Sequence, residues 1–339
     1  MLITYIRSSS YNNYAYCQMQ YFITYVLGHQ PDSGKKAELG TIVHKVLEIL
    51  AKLKKYTQDN PKKNTLSIED DALGKINIKK SELFSKDTVD DILKLSFKFY
   101  TVDSKHSFTK GDNDNCHKLI SDTLNYNDGQ FDPRYRKIVE AEPHFDIPIE
   151  EDWAFFEYEV NGQKIKGQLA IKGTIDLVTE SSDGIIEVID WKTGRRLDWA
   201  TGEEKTYEKL CSDPQLLLYN YAISKLFPQY KQSIMSIFFI KDGGPFSMCF
   251  DKDDEKKFLK MLKNKFEDIK NNAKPQPISQ NRDNWKCAKL CHYCKTKWPG
   301  TDQNMCIYIE NNLKNNGMDH TIKECTKEGF QIGFYASPG

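Results

Sequence analysis

Two strand-like segments joined by a short turn constrain the fold of this chain most strongly. Residues 173–194 read GTIDLVTESSDGIIEVIDWKTG, with runs rich in Ile and Val on either side of the turn-forming letters SSDG. Asp176 lies near the end of the first strand and Asp190 lies on the next, so the pattern predicts that both carboxylates face one site. Lys192 follows Asp190 by two residues and shares its strand face, whereas Glu187 points the other way.

This D-x-K spacing suits the hydrolysis of a phosphodiester. The reaction needs water that is nucleophilic near neutral pH and positive charge beside the leaving oxygen, and Mg²⁺ held by carboxylates supplies both. A lysine on the same face would stabilise the negative charge of the transition state. A lone D-x-K pair is nevertheless common on solvated strands, so further motifs are needed.

Two predicted helices carry such motifs. The segment GTIVHKVLEILAKLKK, which starts at Gly40, has a broad apolar face and places His44 on a narrower polar stripe. The segment DPQLLLYNYAISKLF starts at Asp213, a typical N-cap that is followed by proline at the first helical position. Gln215 and Tyr219 lie one turn apart on this second helix.

Other segments complete an α/β pattern. The runs AFFEYEV, QKIKGQLAIKGTIDLV and IIEVIDWKT predict three strands of a twisted antiparallel meander. The run SIMSIFFI predicts one more strand, and residues 252–271, rich in Lys and Glu, predict a helix. Residues 10–27 predict a helix that ends at Gly28.

The ordered set GTIVH, GTID, IDWKTG and QLLLY resembles the RecB-like branch of the PD-(D/E)XK nuclease superfamily, as found in AddB-type, CRISPR-adaptation and phage exonucleases. The resemblance runs from about residue 10 to residue 306. It implies an α/β fold with a PD-(D/E)XK nuclease core, in which a mixed central sheet is flanked by helices. A helical insertion and a cysteine-ligated metal staple would be added to this core.

The resemblance also implies the roles of individual residues and a requirement for Mg²⁺ or Mn²⁺. The metal ligands would be His44, Asp176, Asp190 and the backbone carbonyl of Trp191. The catalytic residues would be Asp176, Asp190, Lys192, Gln215 and Tyr219. Glu142, in EAEPHF, is a candidate for the acidic residue that precedes a strand in this family, and Glu140 is the competing choice.

The cysteines suggest a second metal site. Many RecB-like nucleases hold a [4Fe–4S] cluster with one cysteine before the nuclease core and three after it, and thiolates are the usual ligands of such clusters. The preferred set here is Cys17, Cys291, Cys294 and Cys306; Cys287 in place of Cys306 is the alternative, because the family's last cysteine usually follows sooner. Four thiolates would also suit a structural Zn²⁺ ion.

These observations predict a domain organisation. Residues 1–306 would form the RecB-like nuclease domain, with a helical insertion at 55–137 that contains helices near 88–100 and 115–125. Residues 285–306 would form the cysteine segment. The polar residues 307–339 would form a C-terminal tail, either partly disordered or a small appendage.

Composition excludes few functions. The formal net charge is zero, so any nucleic-acid site must be a local basic groove. No run approaches the roughly 20 apolar residues of a membrane span, and the first residues are too polar for a signal peptide, so we expect a cytoplasmic protein, either bacterial or phage-encoded in a host. The string GHQPDSGKK departs from a phosphate-binding loop, so any helicase activity would come from a partner.

The resemblance therefore implies a metal-dependent DNA nuclease, an exonuclease that acts on single-stranded or processed ends in recombination, repair or phage DNA metabolism. Its partners would be DNA and a helicase or recombination protein. A restriction-type endonuclease shares the D-x-K core, but His44 and the QLLLY segment argue against it. A DNA-binding structural subunit with an inactive nuclease is the other alternative, and the intact Asp176, Asp190 and Lys192 argue against that.

Overall fold

The computed structural model describes residues 1–160, 162–182, 184–197 and 202–330. Its strands are β1 (Tyr5–Ile6), β2 (Thr65–Asp70), β3 (Gly74–Lys79), β4 (Lys137–Ala141), β5 (His144–Pro148), β6 (Phe155–Val160), β7 (Gln163–Gln168), β8 (Ala170–Thr174), β9 (Leu177–Ser182), β10 (Ile185–Lys192), β11 (Gln232–Phe239) and β12 (Gly244–Cys249). Its α-helices are α1 (Ser8–Tyr16), α2 (Gln18–Tyr21), α3 (Lys35–Asp59), α4 (Lys86–Val102), α5 (Lys110–Asn125), α6 (Tyr207–Cys211), α7 (Pro214–Leu226), α8 (Lys252–Asn271), α9 (His292–Lys295) and α10 (Met305–Cys325).

The chain divides into two compact units, each built from separated segments. The first unit consists of Met1–Asp32, Phe145–Gly173 and the chain from Asp251 onward. The second unit consists of Ser33–His144 and Thr174–Phe250. No helix in the described part of the chain is both long enough and apolar enough to cross a membrane.

A five-stranded mixed sheet forms the centre of the second unit, in the order β12-β11-β10-β9-β4. Strands β10 and β11 are parallel. Parallel neighbours need a long crossover connection, and the chain segment that contains α6 and α7 provides it. The other neighbours are antiparallel. The sheet and its flanking helices confirm the predicted α/β class.

Helix α3 packs in the core of the second unit. Its apolar stripe, which includes Ile42, Val46 and Leu50, belongs to the same buried cluster as Ile189 of β10 and Phe238 of β11. Burying such side chains contributes roughly 1.5–3 kcal/mol each. The predicted amphipathic helix is therefore confirmed, and it starts at Lys35, five residues earlier than its motif.

The expected single meander is wrong. The run QKIKGQLAIKGTIDLV contains three strands that belong to three sheets: β7 pairs with β6 as a hairpin, β8 joins β1 and β5, and β9 joins the five-stranded sheet. The antiparallel pairings of β6 with β7 and of β9 with β10 match the expectation. Two turn positions of that expectation, Asn161 and Asp183, lie outside the described residues.

The expected helical insertion contains its two helices, α4 and α5, but also a hairpin. Strands β2 and β3 pair with Leu66 opposite Ile78 and Ile68 opposite Ile76. These four apolar residues alternate with charged and polar ones, which is the pattern of a half-buried strand. The abundance of Lys and Asp in this region concealed that alternation.

The first unit contains the sheet β1-β8-β5, the hairpin β6–β7 and the remaining helices. The expected helix at 10–27 is interrupted at Cys17, and its expected end at Gly28 is confirmed by a φ of 79° there. The ring of Phe330 packs where a Cβ of Gly28 would lie.

The expected polar tail is helical for most of its length. Helix α10 runs through Cys325 with a kink at Gly317, and it buries Ile309 and Ile322. The predicted domain limit at residue 306 thus falls near the start of a helix. Residues 331–339 of the expected tail lie outside the described residues.

Candidate active site

The pairing of β9 with β10 brings two carboxylates together in the second unit. Leu177 lies opposite Ile189 in this antiparallel register, so the preceding Asp176 comes beside the following Asp190. The backbone N–H of Trp191 donates to Oδ2 of Asp176 at 2.8 Å. Asp190 is buried, with 2 % of its surface exposed, and Asp176 is half-buried.

Lys192 and Gln215 enclose Asp190 in a closed set of contacts. The Lys192 ammonium lies 2.7 Å from Oδ2 of Asp190 and donates to Oε1 of Gln215 at 3.0 Å. Nε2 of Gln215 donates to Oδ1 of Asp190 at 3.1 Å. One side-chain amide therefore bridges the carboxylate and the ammonium of the D-x-K motif.

Tyr219 and the start of α7 hold Gln215 in place. Nε2 of Gln215 also donates to the hydroxyl of Tyr219 at 2.8 Å, and that hydroxyl donates to the carbonyl of Thr174 at 2.8 Å. The side chain of Asp213 accepts from the backbone N–H of Gln215 at 2.9 Å, which confirms the predicted N-cap. Tyr219 thus contacts Gln215 and Thr174, which both belong to the second unit.

Helix α3 places His44 at the same site. Nδ1 of His44 lies 3.2 Å from Oδ1 of Asp176, and its ring meets the buried ring of Trp191 edge to face, with centroids 6.4 Å apart. One turn earlier, a Cβ on Gly40 would lie 2.8 Å from Oγ1 of Thr193. A glycine therefore lets α3 approach the end of β10 closely.

The charges of the site shift its pKa values in opposite directions. Burial raises the pKa of Asp190; Lys192 lowers it and Asp176 raises it again, so that it stays above its usual value. Burial also raises the pKa of Asp176, but His44 and Lys192 outweigh burial and hold that pKa below its usual value. Burial lowers the pKa of His44 and of Lys192, yet the two carboxylates raise both overall.

The donor set suits a divalent cation. Carboxylate oxygens beside one imidazole are ligands that Mg²⁺ and Mn²⁺ accept. Burial, and then the charge of Asp176, keep the pKa of Asp190 raised even though Lys192 lies beside it. Within the described residues, no three His, Cys, Asp or Glu side chains already converge on one metal position. The ligand roles of His44, Asp176, Asp190 and the Trp191 carbonyl therefore stay predictions.

Glu142 adjoins the site through its backbone. Its N–H donates to the carbonyl of Asp176 at 3.1 Å, and its φ of 53° lies in the left-handed region that non-glycine residues rarely adopt. The competing Glu140 instead pairs with Lys55 at 2.5 Å. Of the two candidate acids, Glu142 is the one whose backbone contacts Asp176.

The Glu142 side chain belongs to an ionic cluster that anchors α3. Lys45 lies 2.5 Å from Glu48 and 3.3 Å from Asp70, and Lys52 pairs with both acids. Burial, and then the hydrogen bond and charge of Glu48, raise the pKa of Glu142 to about 7. Lys45 directly follows His44, so this cluster fixes the rotation of α3 about its axis.

Five cysteines of the first unit lie in one neighbourhood. The Cys294 thiol lies beside the thiols of Cys291, Cys306 and Cys287. The nearby Cys294 thiol is the main reason why the pKa of Cys291 falls to about 6. Burial, together with the nearby Cys306 and Cys291, raises the pKa of Cys17 to about 11.

The cysteine arrangement keeps both predicted ligand sets open, because Cys287 and Cys306 each contact Cys294. Cys17 is the N-cap of α2, and its Sγ accepts from the N–H of Gln20 at 3.4 Å. The metal staple stays a prediction.

Two residues of the site were not predicted from the sequence. Thr193 and Thr174 contact Gly40 and Tyr219 respectively. Gly40 opens the motif GTIVH and Thr193 belongs to the motif WKTG. Their contact joins residues that lie 153 positions apart in the sequence. No local pattern reports such a contact.

A comparison with models of protein families identifies the superfamily of this chain. The model of the PD-(D/E)XK nuclease superfamily matches residues 8–298. A solved structure of a protein from Eubacterium rectale, named "Putative exonuclease", matches with a TM-score of 0.46 and 10 % identity, over 86 % of this chain and 87 % of that one. Among curated proteins, none matches. Because the family match spans most of the sequence, this chain belongs to the PD-(D/E)XK nuclease superfamily.

Proposed function

We propose that this protein is a Mg²⁺- or Mn²⁺-dependent deoxyribonuclease of the RecB-like branch, which shortens single-stranded or processed DNA ends in recombination, repair or phage DNA metabolism. The observation that supports it is that His44 of α3, Asp176 just before β9, and Asp190 and Lys192 of β10 lie together. Membership of the nuclease superfamily supports a nucleic-acid substrate.

His44, Asp176 and Asp190 would hold the metal. A divalent cation supplies a nucleophile near neutral pH and charge stabilisation at the phosphate. Lys192 would place its ammonium, which lies 2.7 Å from Asp190, beside the scissile phosphate. Positive charge at this position stabilises the negative charge that develops in the transition state.

Gln215 and Tyr219 act as positioning residues. The Gln215 amide holds the Asp190 carboxylate and the Lys192 ammonium at fixed distance, and Tyr219 fixes that amide against Thr174. Holding reacting groups in place avoids reorganisation when the phosphate charge develops. The site can thus be ready for the substrate before it binds.

The sequence resemblance alone supports four finer parts of this proposal. These are the exonuclease mode, the RecB-like branch, a helicase or recombination partner, and an iron–sulfur cluster on Cys17, Cys291, Cys294 and Cys306. A structural Zn²⁺ ion is the alternative occupant of the cysteine site. The exonuclease mode predicts that free DNA ends are required.

One experiment tests the function and its mode. Protein purified without oxygen is incubated with end-labelled single-stranded, linear duplex and covalently closed circular DNA, with Mg²⁺, Mn²⁺ or EDTA. We expect metal-dependent degradation of the single strand and no cutting of the closed circle. Efficient cutting of circles would instead identify an endonuclease, and cleavage in EDTA would remove the metal assignment. Asp190→Asn should be inactive in every arm.

A further inference from the structure

Helices α1 and α8 of the first unit line a surface groove that the site described above does not use. Its volume is about 520 Å³. Lys257, Lys260, Asn264 and Lys265 of α8 line it at helical spacing, so one face of that helix forms the floor, and Tyr11 of α1 forms a wall. The apolar face of α8 points elsewhere and is buried.

Lys265 is the most unusual cation of this groove. Its Nζ lies 4.6 Å from the centre of the Tyr11 ring and 5.2 Å from that of Tyr14. Burial lowers the pKa of Lys265, and the charge of Asp268 only partly offsets this. Among the described residues, no carboxylate lies within ion-pair distance of its ammonium. A partly desolvated cation in this position gains from a bound anion.

The neighbouring lysines add accessible charge. Lys260 is exposed and makes no ion pair with any described residue. Lys257 pairs at 3.0 Å with Asp254, one turn away. Asp268 contributes the negative charge of the lining, so an anion would bind toward Lys260 and Lys265. Met261 and Tyr11 supply apolar surface between these charges.

We propose that this groove binds single-stranded nucleic acid, with Lys260 and Lys265 contacting phosphates and Tyr11 contacting a base. Spaced cations interleaved with an aromatic face are the features that bind single strands, because only a single strand offers unpaired base faces beside its phosphates. The inference rests on the proposed function, since it takes the ligand to be the kind of strand that the enzyme cleaves.

The test measures binding without cleavage. Fluorescence anisotropy of a 5′-labelled 20-nucleotide oligo(dT) in EDTA gives the affinity at several salt concentrations. Each phosphate contact on a single strand contributes about 0.7 to the slope of log affinity against log salt. Lys260→Ala/Lys265→Ala should therefore lower the slope by about 1.4, and Lys260→Ala alone by about 0.7. The single variant keeps the test valid if Lys265→Ala unfolds.

Tyr11 and a matched control complete the design. Tyr11→Leu should weaken binding about tenfold without changing the slope, whereas Tyr11→Phe should bind like the wild type. Lys256→Ala/Lys263→Ala, on the same helix outside the groove, should leave the slope unchanged. A 20-base-pair duplex should bind without any effect of Tyr11→Leu.

The outcomes separate this proposal from the proposed function. An unchanged slope in the Lys260 and Lys265 variants overturns the groove assignment, even if the wild type degrades DNA. Equal losses in the control pair would show a diffuse surface effect and would overturn it too. Conversely, a wild type that cleaves no DNA would sink the proposed function, while the anisotropy slopes would still report on the groove.

Discussion

The ammonium of Lys192 lies 2.7 Å from Oδ2 of Asp190, two residues earlier on the same strand. This pair is held by the period of a β-strand and needs no other element to bring it together. On the opposite face of β10, Glu187 pairs with Arg136 and accepts from Oγ of Ser236 at 2.7 Å. One strand therefore carries a chemical face and a structural face.

The two faces of β10 predict opposite mutant behaviour. Lys192→Met should lower the single-turnover cleavage rate of the folded fraction by at least about 100-fold, because the phosphate loses its ammonium partner. Glu187→Gln should destabilise the protein by about 3 kcal/mol, because Arg136 loses its buried partner, yet retain activity in the folded fraction. Both variants are measured by cleavage of end-labelled single strands and by urea unfolding. Normal cleavage by Lys192→Met would contradict the catalytic assignment.

Gln215→Leu should lower activity about 10- to 100-fold, since it removes the amide that holds Asp190 and Lys192. The half-saturating Mn²⁺ concentration should rise as well, because Asp190 loses its orientation. Tyr219→Phe, which keeps Gln215 but removes its hydroxyl partner, should have a smaller effect in the same direction. A Mn²⁺ requirement equal to that of the wild type in Gln215→Leu would argue against positioning.

Gly40→Ala should lower activity about tenfold, although alanine is favoured over glycine in a helix by about 1 kcal/mol. The new Cβ would meet Oγ1 of Thr193 and displace the helix that carries His44. Adding Thr193→Ala leaves only Cβ of residue 193, at 3.9 Å, so the double variant should recover most of the lost activity. Gly111→Ala, where α5 has room, is the matched control. Additive losses in the double variant would rule out this contact as the cause.

Glu142→Gln should stabilise the protein at alkaline pH. The folded pKa of Glu142 is about 7 against an ordinary value of 4.5, so the folded state holds more protons between these values and its stability falls as pH rises through them. The side chain is 36 % exposed, so solvent screening limits the gain at pH 8 to about 2 °C in Tm. At pH 4.5 the variant and the wild type should melt together.

Glu140→Gln is the control for this pH effect. Its carboxylate pairs with Lys55 outside the ionic cluster, so its removal should give no gain at pH 8. Thermal melts from pH 4.5 to 8.5 follow both variants. A Glu142→Gln curve that runs parallel to the wild type over the whole range would show that Glu142 is ionised at all these pH values.

Anaerobic protein should contain iron, and Cys294→Ser should lose it. Cys294 contacts Cys287, Cys291 and Cys306, so its loss affects either ligand set. Cys17→Ser should lose iron together with thermal stability, whereas Cys249→Ser, an exposed cysteine, should keep both. Metal analysis and visible absorption provide the measurement. Stoichiometric zinc without iron would show that the site is a zinc site and not an iron–sulfur cluster. The absence of both iron and zinc would refute both assignments.

Much of the site could be predicted because its residues follow local periods. The strand period places Asp190 and Lys192 on one face, and Asp213 followed by Pro214 marks the start of α7. Asp176 could be placed opposite Asp190 because a short turn joins their strands. Such features depend on neighbours within about 20 residues.

The missing parts depend on distant residues. The residue pattern of 163–182 predicts extended chain. It does not predict that β7, β8 and β9 pair in three different sheets, because their partner strands lie elsewhere in the sequence. The contact of Gly40 with Thr193 and the cluster of Glu48, Asp70 and Glu142 are likewise long-range. No periodicity encodes them.

The interleaving of the two units along the chain sets an order of synthesis. The second unit is complete once Phe250 has been translated, whereas the first still lacks every segment after Asp251. Cys17 leaves the ribosome about 270 residues ahead of Cys287, which corresponds to roughly 15–50 s at ordinary elongation rates. During translation the second unit, which holds Asp176, Asp190 and Lys192, can therefore fold first. The Cys17 thiol is synthesised long before the other cysteines of its neighbourhood.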